Sequence, residues 1–269
     1  MFSFGTSNVL WKFPHEKFSV PKIIVLRASV SSLLFGIIAM YQNNIQGSLN
    51  DWGIAIFICV ISFFGLFFYN KSIKYSEVSH SITVTSFSAV FGVFTSVIFY
   101  DECLSWNLVL ALVLLISSLF LLEEKKPIIS WSKGTLFALM ASFFWGTTFA
   151  LFRIPVNKIG EINFSFTLEA TVLLCSAIFL LFQKKNNKKQ SATIKMYLII
   201  ALIGVLGFLG VIFYNKAVQI VEVSILSVMG AFTPVITIAI AHFLLRERFR
   251  FWQYIGMTLA LLAVLILII

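Results

Sequence analysis

Two ionisable residues of this sequence lie inside long apolar runs, where a charge is costly and marks a functional candidate. Arg27 sits in the run Val-Leu-Arg-Ala and Glu169 in the run Thr-Leu-Glu-Ala, each one to two helical turns from the start of its segment. Arg27 reads either as a pathway residue or as a side chain that snorkels to the membrane surface. A carboxylate has a shorter reach; Glu169 reads as lining a pathway, as making a structural hydrogen bond, or as lying near the interface. Glu169 is the one acidic residue inside an apolar run rather than at its end, which makes it the candidate group for proton coupling.

Neutral polar residues form the second layer of candidates. Tyr69-Asn70 and Tyr214-Asn215 are each followed by a lysine. They read either as anchors at the membrane boundary or as a polar rim of a pathway. Thr147 and Thr148 follow Gly146 and offer hydroxyls. Thr233-Pro234 interrupts an apolar run, and a proline there frees a carbonyl one turn earlier and kinks the helix. Ser88 occupies the matching place in the other half, without a proline, so a kink is expected in one copy only. Glu77, Glu222, Glu102 and Glu247 stand at the starts of apolar segments, where a carboxylate favours the positive end of the helix dipole. His80 and His242 read as cap or interface residues. Cys59, Cys103 and Cys175 are odd in number and widely spaced, so neither a disulfide framework nor a metal site is expected. No cofactor motif is present.

The elements that must position these residues follow from composition. Apolar types make up 59% of the 269 residues and charged types 12%, against about half and about a quarter in soluble domains. That excludes a soluble fold, and 30 phenylalanines against 5 prolines exclude a disordered chain. The apolar content comes in runs of about 20 residues, the length of a membrane-crossing helix, without the alternation of a membrane barrel. Helices are predicted near 2–13, 22–41, 52–70, 76–99, 104–122, 132–153, 163–182, 193–214, 219–244 and 250–269. The expected fold is an all-α polytopic membrane protein of about ten transmembrane helices. The first segment is too short for a full crossing: either it is a half-span, or the true start lies about ten codons upstream.

The net charge of +9 resides in the connections, which points to the lipid bilayer rather than to nucleic acid as the partner. Connections after the odd-numbered segments carry 3, 2, 3, 5 and 3 Lys or Arg; the other side carries Arg153, Lys158 and Lys216. The positive-inside rule therefore places the odd-numbered connections in the cytoplasm and both termini outside.

An internal repeat organises the chain. Residues 68–79 read FYNKSIKYSEVS and residues 213–224 read FYNKAVQIVEVS, with seven of twelve positions identical at one offset. The same offset pairs Gly65 with Gly210 and Glu102 with Glu247. FGTSNVLWKFP at 4–14 resembles WGTTFALFRIP at 145–155, pairing Gly5 with Gly146, Lys12 with Arg153 and Pro14 with Pro155. The repeats are 1–123 and 131–269, flanking a polar linker at 124–130. Five helices per copy is an odd number, so the second copy inserts upside down, the plan of many secondary transporters with a site between the repeats. Inversion also places Arg27 and Glu169 near opposite faces, where a direct ion pair is not expected. Cys59, Ser62 and Gly65 in one copy, and Gly204, Gly207 and Gly210 in the other, form small-residue faces that either let helices approach closely or line a narrow cavity with backbone.

The W-G-x-x opening with a charged residue and then proline, the F-Y-N-K-x-x-x-x-x-E-V-S junction and the acidic residue before the last helix together resemble the EamA domain. Two such units in tandem are similar to the drug/metabolite transporter superfamily. The resemblance implies a secondary transporter of the cytoplasmic membrane that moves a small molecule by alternating access, as a monomer or homodimer. It also implies cytoplasmic termini, the reverse of what the charge count gives. The sparse polar set among many aromatics suits an amino acid or related compound, and export is the expected direction.

Other classes find less support. There is no paired-aspartate motif, no H-E-x-x-H and no G-x-x-x-x-G-K-[ST] in the chain. Glu123-Glu124 lacks the arginine or histidine that an intramembrane glutamate protease motif needs. A channel or a non-transporting scaffold is the remaining alternative, disfavoured by the inverted duplication.

Overall fold

The computed structural model describes residues 1–15, 17–122, 132–183, 193–245 and 251–267. Among them every regular element is an α-helix. The first half contains α1 (Phe2–Leu10), α2 (Lys12–His15), α3 (Val20–Gln42), α4 (Leu49–Tyr75), α5 (Val78–Thr85), α6 (Ser88–Tyr100) and α7 (Trp106–Leu122). The second contains α8 (Lys133–Leu151), α9 (Arg153–Ile159), α10 (Glu161–Leu181), α11 (Ile194–Ile220), α12 (Val223–Gly230), α13 (Thr233–Leu245) and α14 (Phe251–Ile266). The polar linker at 124–130, Glu123-Glu124, Glu247 and the Lys-Lys-Asn-Asn-Lys-Lys stretch lie outside the described residues.

Among the described residues, seven helices are long and apolar enough to cross a membrane: Val20–Gln42, Leu49–Tyr75, Val78–Tyr100, Lys133–Ile159, Glu161–Leu181, Ile194–Ile220 and Val223–His242. Trp106–Leu122 and Phe251–Ile266 are apolar but shorter, at 17 and 16 residues, or about 25 Å at 1.5 Å per residue. Leu33, Phe57, Leu174 and Leu198 are exposed on the outer faces, a surface that only lipid covers without penalty. The protein is therefore a multi-pass membrane protein.

Four apolar segments are each two helices joined by a turn. The turns fall at Trp11, at Ser86-Phe87, at Phe152 and at Ala231-Phe232. The repeat offsets pair Trp11 with Phe152 and Ser86-Phe87 with Ala231-Phe232. The expectation of a kink in one copy only is thus corrected. Pro234 explains the second-half break, because it stands in the first turn of α13, where its missing N–H costs nothing. The first-half break needs no proline. There the Thr85 and Ser86 hydroxyls donate to the Ser81 and Ile82 carbonyls at 2.7 and 2.9 Å, a back-bonding that bends helices.

Lipid is as apolar as leucine, so helices associate through close packing and hydrogen bonds. The closest approaches are reciprocal between the halves. Trp145 lies against Gly65, and Phe4, its counterpart, lies against Gly210. Gly146 abuts Ser88 and Phe91, while Gly5 abuts Ile236. A β-carbon at any of these glycines would overlap its neighbour. α3 and α10 run antiparallel: the Asn163 amide at the start of α10 donates to the Asn44 carbonyl just beyond the end of α3, at 2.7 Å.

Two apolar clusters contribute walls to a cavity. One gathers Trp11, Ile23, Phe63, Tyr69, Ile73 and Ile200; the other gathers Ala55, Phe152, Phe164, Val218 and Val223, with Tyr214 packed against it. Between them lies the cavity that carries the site.

Candidate functional site

A cavity of about 370 Å³ is walled by residues of both halves. Its lining is mostly aromatic and aliphatic, including Trp11, Tyr69, Trp145, Phe149, Phe152 and Tyr214. Set into this wall are Arg27 and Glu169, joined by an ion pair of 2.6 Å between Nη1 and Oε2. Their side chains are 8% and 2% exposed. The expectation that these two charges stand apart near opposite faces is overturned. Arg27 lies seven residues into α3 and Glu169 eight residues into α10, which is about 11 Å of depth on each helix. Two such depths from opposite ends of antiparallel helices cover most of ~30 Å of hydrocarbon, and the two side chains close the remainder. Snorkelling is excluded with it, because Arg27 is buried.

Two further residues, Ser31 and Gly207, complete the pair. Ser31, one turn beyond Arg27 on the same face, donates its hydroxyl to the same Oε2 at 2.7 Å. Gly207 forms the seat of the guanidinium: a β-carbon there would collide with the Arg27 side chain. Gly204 and Gly210, its neighbours on the small-residue face, receive the Arg27 backbone with Val30 and the Phe4 ring. The face therefore serves close packing along its length, and Gly207 and Gly210 also line the cavity.

The other candidates divide. Tyr69, Tyr214, Asn215, Ser88 and Thr233 line the cavity. Tyr214 donates its hydroxyl to the Phe149 carbonyl at 3.1 Å, and the Asn215 amide donates to the Ser165 hydroxyl at 2.8 Å. The Tyr69 hydroxyl and Asn215 Oδ1 are buried without a hydrogen-bond partner among the described residues. Thr233 returns its hydroxyl to the Gly230 carbonyl at 2.5 Å, the carbonyl that the turn frees. Asn70, Thr147, Thr148 and Pro234 are not on the cavity wall. Asn70 donates to the Leu66 carbonyl at 2.9 Å and contacts His15 Nε2 at 3.0 Å. Thr148 is buried and donates to the Phe144 carbonyl at 2.7 Å, Thr147 is half-buried, and Pro234 is buried. Ser7, Asn8, Ser62, Ser86 and Ser227 supply further polar atoms to the wall. Repeat offsets could have flagged Ser62, the counterpart of Gly207.

One contact beyond the wall joins the halves. Glu102, between α6 and α7, accepts the backbone N–H groups of Val223 and Ser224 at 2.8 Å each, and Arg153 pairs with it at 3.2 Å. The N-cap residue of α12, Glu222, makes no side-chain cap bond, so an acid from the other half caps that helix. Burial works to raise the Glu102 carboxyl. The bonds from Ser224, Val223 and Ser96 outweigh it and hold that carboxyl below the usual carboxylate range. Its role is not at its own helix start, as the sequence position implied. The Arg153 guanidinium also lies over the Tyr100 ring, and Tyr100 donates to the Ala150 carbonyl at 2.8 Å, so this acid sits in a clasp against the α8–α9 break. His80, in the first turn of α5, is buried with Nε2 2.9 Å from the Thr135 hydroxyl in the first turn of α8. Among the described residues, no three His, Cys, Asp or Glu side chains converge on a point that could hold a metal.

Comparison with known proteins gives a consistent picture. The EamA-like transporter family matches residues 1–123 and 132–269. An uncharacterized transporter of Archaeoglobus fulgidus is 25% identical over 230 residues, covering 80% of this chain and 76% of that protein. The uncharacterized transporter YoaV of Bacillus subtilis is 26% identical over 121 residues, 45% of this chain and 41% of that relative's length, so this match spans well under half of it. A protein crystal structure superposes with a TM-score of 0.78 at 13% identity, covering 98% of this chain and 94% of the other. At that identity the likeness concerns the fold alone.

Proposed function

We propose that this chain, which belongs to the EamA-like transporter family, exports a small, partly apolar metabolite, an amino acid or a related compound, across the cytoplasmic membrane by alternating access. The protein is a membrane transporter; the absence of an enzymatic activity, the substrate, the direction and the cycle are the proposal. Residues 1–123 and 131–269 act as inverted repeats of five membrane segments each, joined through 124–130. The observation that carries this reading is the cavity with its buried ion pair, one charge from each half. Its volume falls in the ~300–1,000 Å³ range of small-molecule sites. The reciprocal glycine contacts and the antiparallel α3 and α10 support the inverted arrangement.

Comparing intracellular metabolites between a deletion strain and an overexpressing strain tests substrate and direction together. An exported amino acid accumulates in the first and is depleted in the second. Unchanged amino-acid pools overturn the substrate class, and the opposite sign overturns export. Orientation has its own reporter in the exposed Cys103. The charge count predicts that an impermeant maleimide labels it from outside intact cells. Protection from outside, with labelling after permeabilisation, reverses the topology.

A further inference from the structure

We infer that Arg27 and Glu169 recognise the substrate as a dyad selective for a zwitterion: the guanidinium takes its carboxylate and the Glu169 carboxylate takes its ammonium. This assignment rests on the carrier reading given above. The direct contact between the two side chains uses one nitrogen, Nη1, and one oxygen, Oε2. Ser31 donates to that same oxygen, which fixes the carboxylate and leaves Oε1 without a donor among the described residues. The Nη2–Nε edge of Arg27 packs on Gly207, and Arg27, Glu169 and Gly207 all line the cavity. The guanidinium has five N–H donors and places one on Oε2, so a second carboxylate can be held by those that face the cavity. Oε1 is left for an ammonium.

Charge balance selects the ligand. The dyad is neutral as a unit and sits in a wall whose other lining is mostly apolar. A ligand with both charges adds a second neutral pair and satisfies every ion. A simple anion or cation would leave one charge unpaired in a medium of low dielectric, which is strongly unfavourable. Leu168, Val172, Trp145 and Phe149 offer apolar surface on the same cavity, so an uncharged apolar substituent completes the match. Because the two charges belong to α3 and α10, one in each half, a ligand seated between them is bonded to both halves at once. A purely structural ion pair would have no such effect on ligand charge.

Three probes that differ only in charge test this on the purified full-length protein: leucine, leucinamide and N-acetylleucine, with binding measured calorimetrically. Wild type is expected to bind leucine at least tenfold more tightly than either singly charged analogue. R27Q removes the cation and is expected to shift preference to leucinamide; E169Q removes the anion and is expected to shift it to N-acetylleucine. Folded variants that keep the wild-type order overturn the dyad. Should a glutamine variant fail to fold, R27K decides: it keeps the charge but not the fork, and is expected to weaken leucine at least tenfold with the order unchanged. Unchanged leucine affinity in R27K overturns the assignment. Wild type that binds none of the three, or binds all equally, also overturns it, whereas the carrier reading is judged separately by transport.

Discussion

The two ends of the cavity carry nearly the same sequence and make different contacts. At one end Tyr214 gives its hydroxyl to the Phe149 carbonyl, and Glu102 caps α12 while pairing with Arg153. At the other end Tyr69, the counterpart of Tyr214, is buried against Trp145 at 5.1 Å with a hydroxyl that finds no partner among the described residues. Asn215 bonds Ser165, while its counterpart Asn70 turns instead to His15 and Leu66. Both copies of the F-Y-N-K and E-V-S motifs thus supply groups for a clasp; the one built on Glu102 is made, and Glu247, its counterpart, lies outside the described residues. A carrier that alternates needs that kind of asymmetry, with equivalent bonds formed at one mouth at a time. On this reading the motif encodes the possible contacts, and the conformation selects which set is made.

The largest effect is expected where the comparison has its pivot, at the charges between the ends. Glu169→Ala or Arg27→Ala leaves the partner buried and unpaired, a loss of about 3–5 kcal/mol. A fall in the Tm of the detergent-purified protein checks it, and an unchanged Tm would mean that the pair is not buried as described. Glu102→Ala breaks the clasped end by uncapping two N–H groups and freeing Arg153. Bonds to an ionised group are worth about 1.5–3 kcal/mol each, so a Tm loss second only to that of the central pair is expected. Because the folded Glu102 carboxyl is held below its usual range, its contribution is fully present above the unfolded pKa of about 4.3 and is lost as pH falls through the lower folded value. The stability gap between wild type and Glu102→Gln should therefore be flat from neutral pH to about 5 and shrink below about 4. A gap that closes near neutrality contradicts the clasp.

The smallest effects sharpen the comparison most. Tyr214→Phe deletes a made hydrogen bond, at about 1 kcal/mol, whereas Tyr69→Phe deletes a buried hydroxyl that has no partner, which is neutral or slightly stabilising. Equal losses for the two would mean that the ends are equivalent, contrary to the structure.

Much of this arrangement was legible in the residue pattern, because membrane helices are long and their apolar faces obvious. The repeat located the matched glycines but not the paired breaks, because Pro234 marks one of them and only hydroxyl back-bonding marks the other. The ion pair is not legible there for a geometric reason: two residues two turns from the starts of antiparallel helices read as far apart in sequence terms, yet each depth plus the reach of a long side chain brings them together. Glu102 was legible as an acid at a helix start but not as the cap of a distant helix, since nothing local links it to Val223. Ser31 was hidden as one serine among several, and Gly207 as one glycine of a packing face. Neither role exists until α3, α10 and α11 meet.

Counterflow in proteoliposomes tests the central claim most directly. Vesicles containing the purified protein are loaded with unlabelled substrate, and entry of the labelled compound is followed over a range of outside concentrations. An alternating-access carrier predicts transient accumulation that requires the internal load and saturates with outside concentration. Entry that is linear in concentration and indifferent to the internal load would contradict it and identify a channel instead.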